Sequence, residues 1–278
     1  MAGETAGGWG RGITVARRLA TAALFLLALA IGAVAFLYPF LLPAAPAPAP
    51  GAATSGTVAV PLLSAVLVTL CLAVLLVELQ GQAAGAKTVA MLGVLVAATS
   101  TLRFIEVAIP GPGGFSPIFA PIILGAYVFG PRFGFLLGAM TMLVSGIITA
   151  GVGPWLPYQM FTAGWVGITA GWLPHLGRPR AEVAMMALLG LLWGFAYGAI
   201  MSFYTWPFLV GNAQTTWIPG AGAADALRRY AAFYLTTSLL WDAVGAVGNV
   251  ILLAALGAPT LRALGRFRDR LLFEVRPS

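Results

Sequence analysis

The chain has 278 residues, of which 60% are hydrophobic and only 8% are charged. Soluble domains carry about 25% charged residues, so this composition excludes water as the main solvent of the protein. The formal net charge of +7 does not indicate nucleic-acid binding, because the basic residues lie almost entirely at the ends of apolar runs. Lipid satisfies no backbone hydrogen bonds, so these long uncharged runs predict an all-α integral membrane protein.

Pro, Gly and charged residues divide the chain into eight predicted spans. The first follows Arg17 and Arg18, as in a signal peptide, but it exceeds the usual ~7–15 apolar residues of such a peptide, and we interpret it as a retained helix. The fourth is too short for a straight crossing, and Pro117 and Pro121 predict an irregular start that neighbouring helices must cover. The spans lie near residues 19–41, 59–80, 88–109, 117–130, 133–152, 157–174, 183–210 and 231–257.

The distribution of basic residues predicts that both termini lie in the cytoplasm. Arginines precede the first span, and the uncharged loop 45–57 that follows it is expected outside. The external segment 211–230 is an exception, since it contains Asp225, Arg228 and Arg229; its amphipathic pattern predicts a position along the membrane interface. The other basic residues that this topology places in the cytoplasm are Lys87, Arg132, Arg178, Arg180, Arg262, Arg266, Arg268 and Arg270.

Composition separates three parts of the chain. Residues 1–57 contain the N-terminal span and an external Ala/Pro-rich linker, and residues 58–87 contain a second accessory span. Residues 88–278 contain six spans, nearly all of the Trp, Tyr, Asn and Gln residues, and a basic cytoplasmic tail. We therefore expect a six-helix functional core in residues 88–278, preceded by two extra transmembrane helices.

Small residues four positions apart recur on several predicted spans, and such ladders let helix backbones approach closely. They fit either packing within the bundle or a docking face for another membrane subunit. Gly93 and Ala97 on the third span are a weaker example of the same spacing. The ladders are Gly130, Gly134 and Gly138; Ala163, Gly167 and Gly171; and Gly190, Gly194 and Gly198.

Polar residues within the predicted spans are candidates for a buried site. Arg103 and Glu106 are three positions apart near the outer end of the third span, and we expect them to pair because an unpaired charge there is costly. Asp242 lies near the middle of the eighth span, and Asn249 is two turns further along the same face. Each of these residues fits either a ligand contact or a structural bond between helices.

The sequence provides little for catalysis or metal binding. His175, the single histidine, falls in a basic cytoplasmic loop, and Cys71, the single cysteine, lies inside an apolar run. The chain contains no GxSxG, HExxH or Walker phosphate-binding motif. We therefore predict a protein that is not an enzyme, with no catalytic residue, no bound metal and no cofactor.

The core resembles the substrate-binding S components of energy-coupling factor (ECF) vitamin transporters in two stretches, RFIEVAIPGPGGFSPIFAPIILGAYVFGPRFGFLLGAM (103–140) and GVGPWLPYQMFTAGWVGITAGWLP (151–174). The likeness covers about residues 88–257. It implies a six-helix bundle in a bacterial or archaeal cell membrane that captures a vitamin or vitamin precursor from outside. Such a subunit works with a transmembrane coupling subunit and two cytoplasmic ATPase subunits.

The resemblance also implies roles for particular residues. The loop Gly111–Ser116 corresponds to the lid of these proteins, and Gly93 and Ala97 correspond to the small residues that dock on the coupling subunit. The segment GPWLPYQM (153–160) looks most like members associated with cobalamin or related corrinoids; thiamine or its pyrimidine precursor is the other candidate. The expected substrate contacts are Phe115, Trp155, Tyr158, Gln159, Trp206 and Asn212.

Other interpretations fit the same sequence. An aromatic belt at the lipid interface also explains several of the aromatic residues. The whole chain fits a membrane scaffold or assembly subunit that binds no ligand and uses the glycine ladders to hold other proteins. It also fits a stand-alone secondary carrier, although the shortage of acidic residues and histidines within the spans argues against a proton-driven one.

Overall fold

The computed structural model describes residues 86–271, except residues 110, 112, 210, 211 and 219, together with separate positions between residues 23 and 37. Most of the predicted parts 1–57 and 58–87, including the second accessory span and the proline-rich linker, therefore lies outside the described residues. The described residues form α-helices and one 3₁₀ turn and contain no β-strand.

Residues 86–271 form seven α-helices. They are α1 (Ala86–Ala108), α2 (Phe119–Phe129), α3 (Pro131–Ile148), α4 (Leu156–Gly171), α5 (Pro179–Thr205), α6 (Ala223–Thr237) and α7 (Leu239–Leu271), with the 3₁₀ turn Trp206–Phe208 after α5. Four stretches are long and apolar enough to cross a membrane, namely Lys87–Ala108, Pro131–Ile148, Pro179–Phe208 and Leu239–Asp269. The six predicted core spans correspond to α1 to α5 and α7, which confirms the prediction of an all-α membrane bundle.

The short helix α2 lies inside the bundle. It has only 11 residues, nearly all of them buried, and it contacts α3, α4 and α7. Gly130 ends the helix with a φ of +95°, a conformation that favours glycine, and Pro131 then begins α3, where its missing N–H costs no hydrogen bond. The prediction that neighbouring helices cover this segment is confirmed.

Two of the glycine ladders face each other between α3 and α4. A Cβ atom added at Gly167 would overlap the backbone of Gly134, and one added at Gly134 would lie 2.5 Å from the carbonyl oxygen of Gly167. One turn away, Gly138 is equally close to the backbone of Ala163. The two helices therefore touch backbone to backbone, as small-residue ladders allow in lipid. At these positions the ladders pack inside the bundle, which leaves no room there for another subunit.

The third ladder packs α5 against α7. A Cβ atom at Gly194 would overlap Ala246, and one at Gly190 would lie 2.7 Å from the side chain of Leu253. A Cβ atom at Gly198 would overlap the carboxylate of Asp242. This ladder therefore does more than bring two helices together, because it leaves space for a polar side chain between them.

The end of the bundle differs from the predicted eighth span, 231–257. The chain breaks at Ser238, so residues 231–237 belong to α6, while α7 starts at Leu239 and continues to Leu271 with Pro259 inside it. The helix α6 is amphipathic, and its first turns carry the charged residues Asp225, Arg228 and Arg229. Hydrogen bonds from Arg229 and Arg228 hold the pKa of Asp225 below its usual value.

The first predicted span contacts α4 at the positions that are described. The ring of Phe36 is buried, lies edge-on to Tyr158 at 4.9 Å between ring centroids, and also contacts Trp165. A Cβ atom at Gly32 would lie 2.8 Å from the ring of Phe161. The N-terminal part of the chain thus covers aromatic residues of α4.

We expect Gly167→Ala to destabilise the bundle by about 1–3 kcal/mol, because the added methyl group must push α3 and α4 apart. The measurement is the thermal unfolding midpoint of the purified protein in detergent. Gly93→Ala is the matched control, since Gly93 is exposed on α1 and no described atom lies within 4 Å of its added Cβ. Equal midpoints for the two variants would contradict the packing of α3 on α4.

Candidate functional site

A polar cavity of about 310 Å³ lies between α1, α4, α5 and α7. Side chains from all four helices reach it, and the loop 111–116 and the start of α2 complete its wall. Four of the residues predicted from the sequence line it together: Arg103, Gln159, Asp242 and Asn249. The full lining is Arg103, Gly114, Ser116, Phe119, Gln159, Gly194, Tyr197, Gly198, Met201, Ser202, Ser238, Trp241, Asp242, Gly245 and Asn249.

Glycines shape this cavity. Gly114, Gly194, Gly198 and Gly245 all line it, and their missing side chains let α5, α7 and the loop residue Gly114 approach one another closely around it. Gly198 matters most for the chemistry, because any side chain there would occupy the position of the Asp242 carboxylate. The same close contact between α5 and α7 that packs the bundle thus fixes where the negative charge lies.

Three buried polar atoms of the cavity lining have no hydrogen-bond partner among the described residues. They are the hydroxyl oxygen of Tyr197, Oδ2 of Asp242 and Oδ1 of Asn249. A buried polar atom left unpaired costs roughly 1–3 kcal/mol, and more if it is charged. A fourth such atom, Oγ1 of Thr141, lies outside the lining, so three of the four found among the described residues belong to residues of this one cavity. This concentration makes the cavity the candidate binding site.

The orientation of the Asn249 amide is fixed by its partner. Its Nδ2 donates to the carbonyl oxygen of Gly190 at 3.0 Å, and a carbonyl oxygen can only accept. The amide oxygen Oδ1 is therefore the atom left over, and it needs a donor. Asn249 is 1% exposed, so bulk water does not supply that donor.

The expected ion pair of Arg103 with Glu106 is replaced by a different bond. The carboxylate of Glu106 accepts a hydrogen bond from the hydroxyl of Ser116 at 2.5 Å. The ion pairs within 4.0 Å among the described residues do not include Arg103 with Glu106. Ser116 comes from the loop after α1, so sequence spacing along α1 could not reveal this bond. Arg103 is one of the residues that line the cavity.

Residues Gly114 and Phe115 of the loop pack against α7. A Cβ atom at Gly245 would overlap the carbonyl oxygen of Gly114, which itself has a φ of +82°, and one at Gly248 would overlap the ring of Phe115. Phe115 therefore lies outside the polar cavity. It lines a second, apolar cavity of about 510 Å³ together with Ala243, Val244, Val247, Gly248, Ile251 and Leu252.

Four other predicted substrate contacts also lie outside the lining of the polar cavity. Trp155 is exposed, and its indole N–H donates to the carbonyl of Gly151 at 3.0 Å. Tyr158 is buried and stacks on Tyr204 at 3.9 Å between ring centroids. The other two are Trp206 and Asn212, which bond to the segment that follows α5. The indole N–H of Trp206 donates to the carbonyl of Thr215 at 2.6 Å. The side-chain oxygen Oδ1 of Asn212 accepts from the backbone N–H groups of Gln214 and Thr215.

Several residues of the cavity were not expected from the sequence. Tyr197 stands next to the ladder glycine Gly198, and Trp241 next to Asp242. The hydroxyl groups of Ser202 and Ser238 are hydrogen-bonded at 2.8 Å across α5 and the start of α7. Tyr197 and Trp241 could have been predicted from the sequence, because each is adjacent to a residue that was already a candidate, namely Gly198 and Asp242.

The two small residues proposed for docking on a partner lie on an exposed face of α1. Gly93 and Ala97 are exposed, and Val94 between them is 64% exposed. Among the described residues, no atom lies within 4 Å of a Cβ added at Gly93. This face contrasts with the internal ladders, in which Gly134, Gly138, Gly167, Gly171, Gly190, Gly194 and Gly198 are each in close contact with neighbouring atoms.

Comparison with known proteins identifies the family. The family described as "ECF transporter, substrate-specific component" matches residues 87–257, which is more than half of the chain and covers α1 to α6 and most of α7. Comparison with curated proteins and with solved structures gave no significant match. On the family match and the all-helical membrane bundle, the chain belongs to the substrate-specific components of ECF transporters.

Proposed function

We propose that the polar cavity is the site where this subunit captures a small vitamin or vitamin precursor for ATP-driven import. The observation that carries the proposal is the convergence of three unpartnered buried polar atoms on one cavity. A membrane scaffold without a ligand gains nothing from these atoms, because each of them costs stability when it is left empty. The partners would be a transmembrane coupling subunit and two ATPase subunits.

The size of the cavity favours the smaller of the two substrate candidates. Its volume of about 310 Å³ is at the lower end of the roughly 300–1,000 Å³ typical of small-molecule pockets. Thiamine or its pyrimidine precursor is of that size. Cobalamin and other corrinoids are far larger, and one could bind only if α7 and the loop 111–116 moved apart.

The loop 111–116 would act as the lid of this cavity. Gly114 and Ser116 belong to the lining, and the loop is held at one end by the bond to Glu106 and at the other by the glycine face of α7. With both termini in the cytoplasm, as the charge distribution predicts, this loop faces the outside, where the nutrient arrives. The exposed small residues Gly93 and Ala97 on α1 would then be free to meet the coupling subunit.

Uptake measurements test the proposed function directly. Cells that express this chain with the coupling and ATPase subunits should accumulate radiolabelled thiamine or its pyrimidine precursor, and cells without the ATPases should not. Accumulation without the ATPases would favour the stand-alone carrier instead. Background accumulation of these compounds and of cobalamin in every strain would contradict the proposal and favour the scaffold.

A cysteine at position 116 tests the lid. Ser116 is buried, and Ser116→Cys removes the hydroxyl bonded to Glu106, so the contact with α7 is the attachment that this variant tests. In a Cys71→Ala background the buried thiol should react slowly with a maleimide as long as α7 holds the loop. Adding Gly245→Val should raise the labelling rate several-fold, because the new side chain collides with the backbone of Gly114 and lifts the loop.

Gly265→Val is the matched control for this experiment. It lies on the same helix, and no described atom is within 4 Å of its added Cβ. We expect it to leave the labelling rate unchanged. Equal rates for the Gly245 and Gly265 variants would mean that the loop is not held by α7.

A further inference from the structure

We propose that the basic C-terminal end of α7 binds the phosphate of an anionic phospholipid, and that an acyl chain of this lipid lies along the same face of the helix. Two cavities other than the polar cavity carry this inference. One is lined by arginines, and the other is the apolar cavity beside Phe115. The lipid site is separate from the polar cavity, so the inference does not depend on the proposed function.

The basic cavity has a volume of about 470 Å³. Arg262 and Arg266 line it together and are both exposed. They are one helical turn apart, which places their Cβ atoms roughly 5–6 Å from each other. The glycine between them, Gly265, adds no side chain to the wall. The described residues of the lining all belong to α7 and are Pro259, Arg262, Gly265, Arg266 and Asp269.

The charge of these two arginines is not compensated by an acid in the described part of the chain. The ion pairs within 4.0 Å among the described residues include neither Arg262 nor Arg266. The acid of the lining, Asp269, pairs with Arg268 at 3.4 Å instead. Like charges one turn apart on a helix repel each other, so an anion bound between Arg262 and Arg266 would stabilise this end of α7.

Phosphate is the anion that this pair suits best. Each guanidinium presents N–H donors in a planar fork that matches two phosphate oxygens. The Nε of Arg262 donates to the carbonyl oxygen of Ala258 at 3.3 Å, which holds the start of the guanidinium against its own helix. Long arginine stems also lie along apolar surface while the charged head reaches the level of the lipid headgroups.

The basic cavity and the apolar cavity lie on the same face of α7. Val244 of the apolar cavity precedes Arg262 by eighteen positions, which at about 3.6 residues per turn is five complete turns. Ile251 precedes Arg262 by eleven positions, which is three turns and about 20°. Only short side chains lie between Ile251 and Arg262 on this face, so the two cavities are joined by a shallow path. They are Ala255, Ala258 and Pro259.

The length of this path fits one lipid tail. The hydrocarbon core of a bilayer is about 30 Å thick, so a tail in one leaflet spans about 15 Å, or roughly ten residues of a helix. A tail that begins beside Arg262 therefore ends near Leu252, which lines the inner end of the apolar cavity. Ile251, beside it, is 60% exposed. A soluble anion would contact the arginines and leave this apolar path uncovered, whereas a phospholipid covers both.

The predicted topology agrees with a lipid of this charge. The distribution of basic residues predicts that this end of α7 lies in the cytoplasm. The cytoplasmic surface of a membrane is negative because of its anionic lipids, and basic pockets on transmembrane helices at that surface bind such headgroups. If the arginines served only as a topology signal, any basic residues on the same side would attract anionic lipid equally well.

Binding of dioleoyl phosphatidylglycerol to the delipidated full chain in detergent tests the inference, with a native mass spectrometry titration as the measurement. Dioleoyl phosphatidylcholine has the same tails without net charge, and glycerol 3-phosphate has the phosphate without tails. We expect phosphatidylglycerol to bind at least ~10-fold more tightly than either of them. The double variant Arg262→Gln with Arg266→Gln should lose at least ~10-fold in affinity for phosphatidylglycerol.

Arg178→Gln with Arg180→Gln is the matched control. Both arginines are exposed and predicted on the same side of the membrane, and neither lines the basic cavity, so this variant removes the same charge elsewhere. It should keep the affinity of the wild type.

A second pair of variants tests the position of the tail. Ala255→Phe blocks the path between the two cavities and should weaken phosphatidylglycerol binding several-fold. Leu256→Phe is its control, since Leu256 is also exposed but points about 100° away from Ala255. Glycerol 3-phosphate has no tail, so neither variant should change its binding.

Three outcomes would overturn the inference. Equal affinities of the wild type for phosphatidylglycerol and phosphatidylcholine would remove the phosphate site, and this comparison needs no variant to fold. Equal losses in the two double arginine variants would show a general attraction to the charged surface. Binding of glycerol 3-phosphate as tight as that of phosphatidylglycerol, with no effect of Ala255→Phe on the lipid, would identify a site for a soluble anion instead.

Discussion

Close approach of helix backbones is the constraint on which this bundle depends. In lipid no hydrophobic driving force brings helices together, so contact must come from packing and from polar bonds between helices. Between α3 and α4 the contact is made by Gly134 and Gly167, whose backbones touch. Between α5 and α7 the same device has a second result, because the space beside Gly198 holds the carboxylate of Asp242. Gly194 and Gly198 therefore both pack α5 against α7 and line the polar cavity.

The site follows from this arrangement. An acid, an amide and a tyrosine hydroxyl of the cavity lining are held inside a membrane bundle, each with one buried atom that has no hydrogen-bond partner among the described residues. The hydrogen bond from Ser116 to Glu106 joins the loop to α1, and Gly245 and Gly248 of α7 contact Gly114 and Phe115 of the same loop. Under the proposed function, a ligand that pairs with these atoms would stabilise the bundle by binding to its folded state.

The sequence predicted the parts of this structure that periodicity controls. The helical core, the close packing at the ladders and the polar candidates Arg103, Asp242 and Asn249 follow from apolar runs and from four-residue and seven-residue spacings. Spacing does not determine which way a helix is rotated. Tyr158 and Gln159 are neighbours on α4, yet only Gln159 lines the cavity, because successive residues point about 100° apart. The bond between Ser116 and Glu106 and the break at Ser238 depend on tertiary contacts, and no local pattern encodes them.

The position of the bound nutrient is the measurement that tests this account most directly. An experimental structure of the purified full chain with its ligand, determined by cryo-electron microscopy or crystallography, would show which cavity is occupied. The account predicts ligand density in the polar cavity, with donor atoms within hydrogen-bond distance of Oδ2 of Asp242 and Oδ1 of Asn249. Density in the apolar cavity beside Phe115 and Val247, with Asp242 bonded to protein groups alone, would contradict it.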